Sequence, residues 1–121
     1  MTERRVEREI ELPTDVSAVW RMLSDATQLS AWFGTQVSLE ARRGGRATFV
    51  WPDGRQREAV IEMIEPERFL MLRWLPFERD HAGRLSQRAP GTIRFRLQPA
   101  DGGTRLGVTE TVAGGETNIL V

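Results

Sequence analysis

The sequence predicts an α+β fold in which two short helices follow the first strand and about six antiparallel strands make up the rest. Three observations support this. Apolar and charged residues alternate at residues 6–12, two capped helical segments lie within residues 17–33, and strand patterns separated by turn signals follow from residue 36 onward. A sheet with one polar face must bury its other face. Large aromatic residues alternate with small ones, which favours a curved sheet of about six to seven strands.

The first strand and the two helices follow from local patterns. The segment "VEREIEL" has period two, with the glutamates on one face and Val6, Arg8, Ile10 and Leu12 on the other. Pro13 ends this strand, and Thr14, Asp15 or Ser17 can cap a helix through "SAVWRMLS". Asp25 caps a second short helix, "ATQLSAWF", which Gly34 ends as a C-cap.

The remaining strands are separated by turn signals. The segments "QVSLEA" and "RATFVW" flank Gly44 and Gly45, "PDG" is a second turn, and "REAVIEMIE" and "RFLMLRWL" follow it. Residues 77–90 are polar and aperiodic, so we expect a long loop there. The segments "TIRFRL" and "TRLGVTETV", joined by "DGG", complete the sheet.

Composition limits the protein to one domain, residues 1–121, of globular type. The 17 basic and 17 acidic residues cancel, so no overall field attracts nucleic acid or an anionic membrane. No window approaches the roughly 18 apolar residues of a membrane span. The first dozen residues contain no apolar signal region, so we expect a cytoplasmic protein.

The sequence contains no catalytic or cofactor signature. It has no cysteine and no tyrosine, and its single histidine, His81, lies in a polar segment without a second ligand nearby. "RRGGR" lies between two strands, whereas a phosphate-binding loop precedes a helix, so we interpret it as a hairpin turn. We therefore predict no metal, no cofactor and no catalytic residue.

Four segments resemble the successive signatures of the START-like (SRPBCC) superfamily: "IELPTDVSAVWRMLSDATQLSAWFG", "RRGGRATFVWPDG", "IEPERFLMLRW" and "GGTRLGVTET". Within it they are most similar to homologues of the activator of the heat-shock-protein-90 ATPase. The match runs from about Val6 to about Glu110. The resemblance implies the helix-grip fold of the birch-pollen allergen, in which a curved sheet grips a long C-terminal helix around a hydrophobic cavity.

The resemblance also implies which side chains line that cavity. Trp32 and Phe33 would close one end, and the inward faces of the strands would be Phe49, Trp51, Ile61, Met63, Leu70, Leu72, Trp74, Phe95, Leu97, Leu106 and Val108. The long final helix is missing from this pattern, since residues 112–121 form only a short tail that contains Gly114 and Gly115. We therefore expect a homodimer or swapped assembly that covers the open face of the sheet.

These residues predict a site for a small hydrophobic or aromatic molecule. Each aromatic taken singly also fits an ordinary core, but four large aromatics around a concavity favour a pocket. Glu110 shares the apolar face of its strand, so it is paired with an arginine, lies at a rim, or has a ligand-contacting or acid/base role. The predicted ligand-binding residues are Trp32, Phe33, Phe49, Trp51, Met63, Leu72, Trp74, Phe95, Val108 and Glu110.

Three functions are compatible with these features. The first is non-catalytic binding of a small hydrophobic ligand. The second is a protein-interaction or chaperone-cofactor module with a protein partner, as the resemblance to the ATPase activator implies. The third is an enzyme of the cyclase or aromatase kind, which would need several polar groups converging inside the cavity.

Overall fold

The computed structural model describes residues 3–113. Within this range the chain forms two helices and eight strands. In chain order these are β1 (Glu3–Leu12), α1 (Val16–Ser24), α2 (Ala26–Phe33), β2 (Gln36–Leu39), β3 (Arg46–Val50), β4 (Gln56–Glu65), β5 (Phe69–Arg79), β6 (Leu85–Gln87), β7 (Gly91–Ala100) and β8 (Gly103–Ala113). The α+β class, the early position of both helices and the curled antiparallel sheet are confirmed.

The strands form a single antiparallel sheet in the order β1-β8-β7-β5-β4-β3-β2, and β6 pairs with the far end of β5. The first and last strands are neighbours, with Glu3 opposite Ala113 and Leu12 opposite Thr104. Thr104 Oγ1 also donates to the carbonyl of Thr14 at 2.8 Å, which ties β8 to the start of the helical segment. Residues 3 and 113, the two ends of the described chain, therefore lie opposite each other in neighbouring strands at one edge of the sheet.

The caps of both helices are confirmed. The Asp15 carboxylate accepts a hydrogen bond from the Ala18 N–H at 2.9 Å, and Asp25 accepts one from Gln28 at 2.9 Å. Gly34 adopts the left-handed conformation with φ 66°, which ends α2 and turns the chain toward β2. The short helices are thereby fixed by local side-chain chemistry.

The prediction of a long loop at residues 77–90 is wrong. β5 continues to Arg79 and pairs with β6, and the Asp80 carboxylate accepts from the N–H groups of Ala82 and Arg84, both at 2.9 Å. The backbone hydrogen bond from Arg84 is the main reason that the pKa of Asp80 lies below its ordinary value. No alternation of apolar and polar residues marks β6 in the sequence, because all three of its residues are exposed.

The inward placement of Met63 is also wrong, because β4 contains a bulge. Ile61 lies opposite Leu72 and Met63 lies opposite Met71, so one extra residue sits in β4 between these pairs. The alternation inverts at this point. Ile64 packs against the core, whereas Met63 is 47% exposed.

The core lies between the helices and one face of the curled sheet, here called the inner face. Its largest fully buried apolar side chains are Phe49, Phe95, Leu23, Leu29, Ile61, Leu70, Leu72, Ile93 and Leu106. Strand β8 includes the first residues of the predicted tail, Val112 and Ala113. Residues 114–121, and with them the prediction that a final helix is missing, lie outside the described residues.

Candidate functional site

The inner face carries a connected group of aromatic rings, here called the aromatic cluster. Phe49 lies at its centre, with ring centroids 4.8 Å from Trp74, 6.2 Å from Trp51 and 6.4 Å from Phe33. The Trp51 and Phe49 rings are stacked at an interplanar angle of 28°. Strand β3 positions Phe49, and Trp51 follows directly after that strand.

The end of α2 completes the aromatic cluster from the helical side. Trp32 and Phe33 lie 5.0 Å apart, and each ring centroid is 6.2 Å from that of Phe95 in β7. The Val37 N–H donates to Ser30 Oγ at 2.8 Å, which fixes the last turn of α2 against β2. The rings of the helix and the sheet are therefore held in mutual contact.

Exposure divides the predicted site residues into three groups. Phe49, Leu72, Trp74, Phe95, Val108 and Glu110 are buried. Trp32, Phe33 and Trp51 are partly buried and pack against the core. Met63 lies apart from both groups on the exposed side of β4. All predicted residues except Met63 thus lie in the aromatic cluster or on the inner face around it.

Glu110 is a buried carboxylate on the apolar face of β8. It lies between Val108 and Val112 along the strand and opposite Ile93 and Val6 across the sheet. Its exposure of 1% does not fit a position at a solvent-exposed rim. The side chain is engaged in an interaction, as the burial of a charged group requires.

Two further charged residues are buried on the inner face and were missed by the sequence prediction. Arg57 in β4 is 5% exposed and lies opposite Glu78 in β5, which is also 5% exposed. The Arg57 guanidinium carbon is 5.1 Å from the centroid of the Trp74 ring. Arg57 Nη2 donates to the carbonyls of Leu75 at 3.2 Å and Ala89 at 3.0 Å.

Two more arginines approach Glu78 from neighbouring segments. Arg55 Nη1 lies 3.6 Å from Glu78 Oε1, and Arg88 Nη1 lies 3.8 Å from Glu78 Oε2. The Arg55 guanidinium also lies over the Trp51 ring, 5.2 Å from its centroid. Hydrogen bonds from the Arg55 N–H and then from its side chain hold the pKa of Asp53 below its ordinary value, so Asp53 stays ionised beside Arg55.

One of these charged residues carried a signal in the sequence. Arg57 alternates with Ala59 and Ile61, so the period of the strand places it on the buried face. Glu78 carried no such signal because it falls in the segment predicted as a loop. Their opposite positions depend on the register of β4 and β5, which the sequence does not specify.

Other candidate features lie away from the aromatic cluster. His81 is exposed in the β5–β6 turn, where its Cβ packs over Gly54. Among residues 3–113, the His, Asp and Glu side chains form no group of three that could hold a metal ion. Within the same range we find no helix of the length and apolar character needed to cross a membrane.

An open groove of about 800 Å³ lies near the β4–β5 turn, between the start of α1 and the end of β7. It is lined by Val16, residues 65–69 and residues 96–99. None of the predicted site residues lines it, and its walls are mixed in polarity. The backbone of the turn is tight here, since Glu67 has φ 65°. The groove is therefore separate from the predicted site.

Residues 13–119 match the sequence model of the family described as "Activator of Hsp90 ATPase homolog 1-like protein". A comparison with the curated proteins gives no match.

Solved structures share the fold at low sequence identity. MLL2253 from Mesorhizobium loti is 20% identical, with a TM-score of 0.79 over 93% of this chain and 79% of that protein. CalU16 from Micromonospora echinospora is 19% identical, with a TM-score of 0.70 over 93% of this chain and 63% of CalU16. DynU16, a protein of the dynemicin biosynthetic locus, is 20% identical, with a TM-score of 0.74 over 92% of this chain and 38% of DynU16. These TM-scores show a common fold, and the match to the family model covers most of the chain. The chain therefore belongs to the Activator of Hsp90 ATPase homolog 1-like family of the START-like superfamily.

Proposed function

We propose that this protein binds a small hydrophobic or aromatic molecule at the aromatic cluster, without catalysis. The fold of the family supports a ligand-binding or cofactor-like module. The main support for binding of an apolar ligand is the continuity of the aromatic cluster. Its rings contact one another from Trp51 through Phe49 and Phe33 to Phe95. The partly exposed rings of this cluster offer an apolar ligand aromatic contacts.

The exposure of the cluster supports the same proposal. Phe49 and Phe95 are buried, whereas Trp32, Phe33 and Trp51 are partly open. An apolar molecule that covers these open ring surfaces removes them from water, which contributes about 25 cal/mol per Å² of apolar area. Rigid aromatic side chains lose little conformational entropy when they contact a ligand. Ligand contact with these three partly open rings is therefore energetically favoured.

A neutral fluorescent probe, N-phenyl-1-naphthylamine, tests this proposal. We expect saturable binding to the wild type, seen as enhanced probe emission. Phe33→Leu should weaken that binding about tenfold, because the loss of one aromatic contact costs about 1.4 kcal/mol. Fluorescence titration gives both dissociation constants, and thermal shift with the probe present provides an independent measurement.

Phe77→Leu is the matched control, since Phe77 is 38% exposed on β5 outside the aromatic cluster. This variant should bind the probe as the wild type does. The proposal is wrong if the folded wild type does not bind the probe, or if both substitutions reduce binding equally.

A second candidate function is a protein-interaction module. The family description as an activator of an ATPase favours it, and so do two exposed apolar side chains on the β5–β6 hairpin, Phe77 at 38% and Leu85 at 58%. Such binding would depend on Phe77 and Leu85, whereas ligand binding would depend on Phe33. The predicted homodimer and the cytoplasmic location stay predictions.

A further inference from the structure

The aromatic cluster ends at a group of three arginines that comes from two separate parts of the chain. Arg55 belongs to the β3–β4 connection, Arg57 to β4 and Arg88 to the β6–β7 connection, and all three lie near the buried Glu78. We propose that this arginine cluster binds an acidic group of the ligand, so that the ligand is an aromatic or apolar carboxylate. This inference rests on the proposed function, because it names the chemical class of the same ligand.

The arginine cluster is continuous with the aromatic cluster. The guanidinium groups of Arg55 and Arg57 lie 5.2 Å and 5.1 Å from the ring centroids of Trp51 and Trp74, respectively. Both distances fall within the range of a cation–π contact. A ligand that packs against the partly open Trp51 side chain would therefore lie next to the Arg55 guanidinium group.

Glu78 holds Arg55 and Arg88 near each other, but its contacts with them are long. Its contacts with Arg55 at 3.6 Å and Arg88 at 3.8 Å are longer than the 2.7–2.9 Å of a charge-assisted hydrogen bond. In the described residues, Glu78 Oε1 is buried and accepts no hydrogen bond. A carboxylate on a ligand can form the shorter bonds with Arg55 and Arg88, because a guanidinium group offers a planar set of five donors.

The three arginines contribute differently. The side chains of Arg55 and Arg88 are 35% and 25% exposed, so their guanidinium groups are accessible to a ligand. Arg57 is buried and is held by the carbonyls of Leu75 and Ala89, so its positive charge has a fixed position. Asp53 binds Arg55 Nε at 2.8 Å and fixes that side chain from outside. Arg55 and Arg88 are therefore the contact residues, and Arg57 contributes mainly charge.

Two naphthalene compounds that differ in one group test the inference. 2-Naphthoate carries a carboxylate, and 2-naphthalenemethanol carries a neutral hydroxyl on the same ring. We expect the wild type to bind the carboxylate about tenfold more tightly at neutral pH, because hydrogen bonds to charged groups are stronger than neutral ones. Isothermal titration calorimetry gives both dissociation constants.

Arg55→Gln and Arg88→Gln should each reduce that preference to about threefold or less, and Arg55→Lys should retain more of it. Arg73→Gln is the control, since Arg73 pairs with Glu62 at 3.0 Å away from the arginine cluster, and it should keep the full preference. Arg57 stays unchanged because its loss would leave buried carbonyls without donors. Circular dichroism verifies that each variant is folded.

The outcomes separate the two proposals. Equal affinities for both compounds in the wild type, or an unchanged preference in both glutamine variants, would overturn the carboxylate inference and leave the aromatic site intact. If neither naphthalene compound nor the neutral fluorescent probe binds the folded wild type, the proposed function and this inference are both wrong.

Discussion

Gly103 and Gly107 lie four residues apart in β8, but their surroundings differ sharply. A Cβ at Gly103 would overlap the carbonyl oxygen of Leu12 and lie 3.0 Å from Pro13 Cα, both of them backbone atoms. Backbone atoms of a paired strand cannot move aside as a flexible side chain can. We therefore predict that Gly103→Ala lowers the free energy of unfolding by about 2 to 3 kcal/mol, as measured by urea denaturation.

Gly107→Ala provides the control within the same strand. A Cβ at this position would be 3.9 Å from the Arg96 carbonyl oxygen and 4.0 Å from Arg96 Cβ, which are ordinary contacts. The substitution should change the free energy of unfolding by less than about 1 kcal/mol. Equal losses for the two variants would show that glycine flexibility, and not the close approach of β1, determines the effect.

The first helix depends on a single carboxylate at its N-terminus. Hydrogen bonds from the Ala18 N–H and then the Ser17 hydroxyl hold the pKa of Asp15 below its ordinary value. Because the folded-state pKa is the lower one, the stabilisation is present above the unfolded pKa of about 3.9. It is lost as the pH falls through the folded-state value. We predict that the difference in Tm between wild type and Asp15→Ala is largest near neutral pH and shrinks below about pH 4.

Asp15→Asn distinguishes the cap from the charge. Asparagine offers the same side-chain oxygen to Ala18 but does not titrate in this range. The difference in Tm between Asp15→Asn and Asp15→Ala should therefore stay constant with pH. If it shrinks at low pH as well, protonation of Asp15 is not the cause of the pH dependence.

Elements with local signals could be predicted, and elements with distant partners could not. The two caps and Gly34 depend on residues within one helical turn, so the sequence predicts them correctly. β6 and the β4 bulge depend on pairing with β5, and no local pattern specifies that pairing. The burial of Glu78 and the outward position of Met63 also depend on this strand pairing, so the sequence did not predict them.

At the scale of the whole molecule, the order of the elements was more informative than any single residue. Four short segments in sequence order predicted the family, which the match over residues 13–119 confirms. The aromatic residues came together as predicted because strand alternation places Phe49, Trp74 and Phe95 on one face. The arginine cluster joins residues 55–57 and Arg88, which are distant in sequence, so only the folded chain reveals it.

One core serves both the helices and the sheet, because Phe95 in the central strand β7 contacts Trp32 and Phe33 of α2. Phe95 is 1% exposed, so Phe95→Ala should cost about 3 to 5 kcal/mol. We expect urea unfolding followed by circular dichroism at 222 nm and by tryptophan fluorescence to shift together to lower concentration. Phe77→Ala, at an exposed site, should shift neither signal by much. Separate shifts of the two signals in Phe95→Ala would mean that unfolding is not a single cooperative step, and that the aromatic cluster does not join the helices and the sheet into one unit.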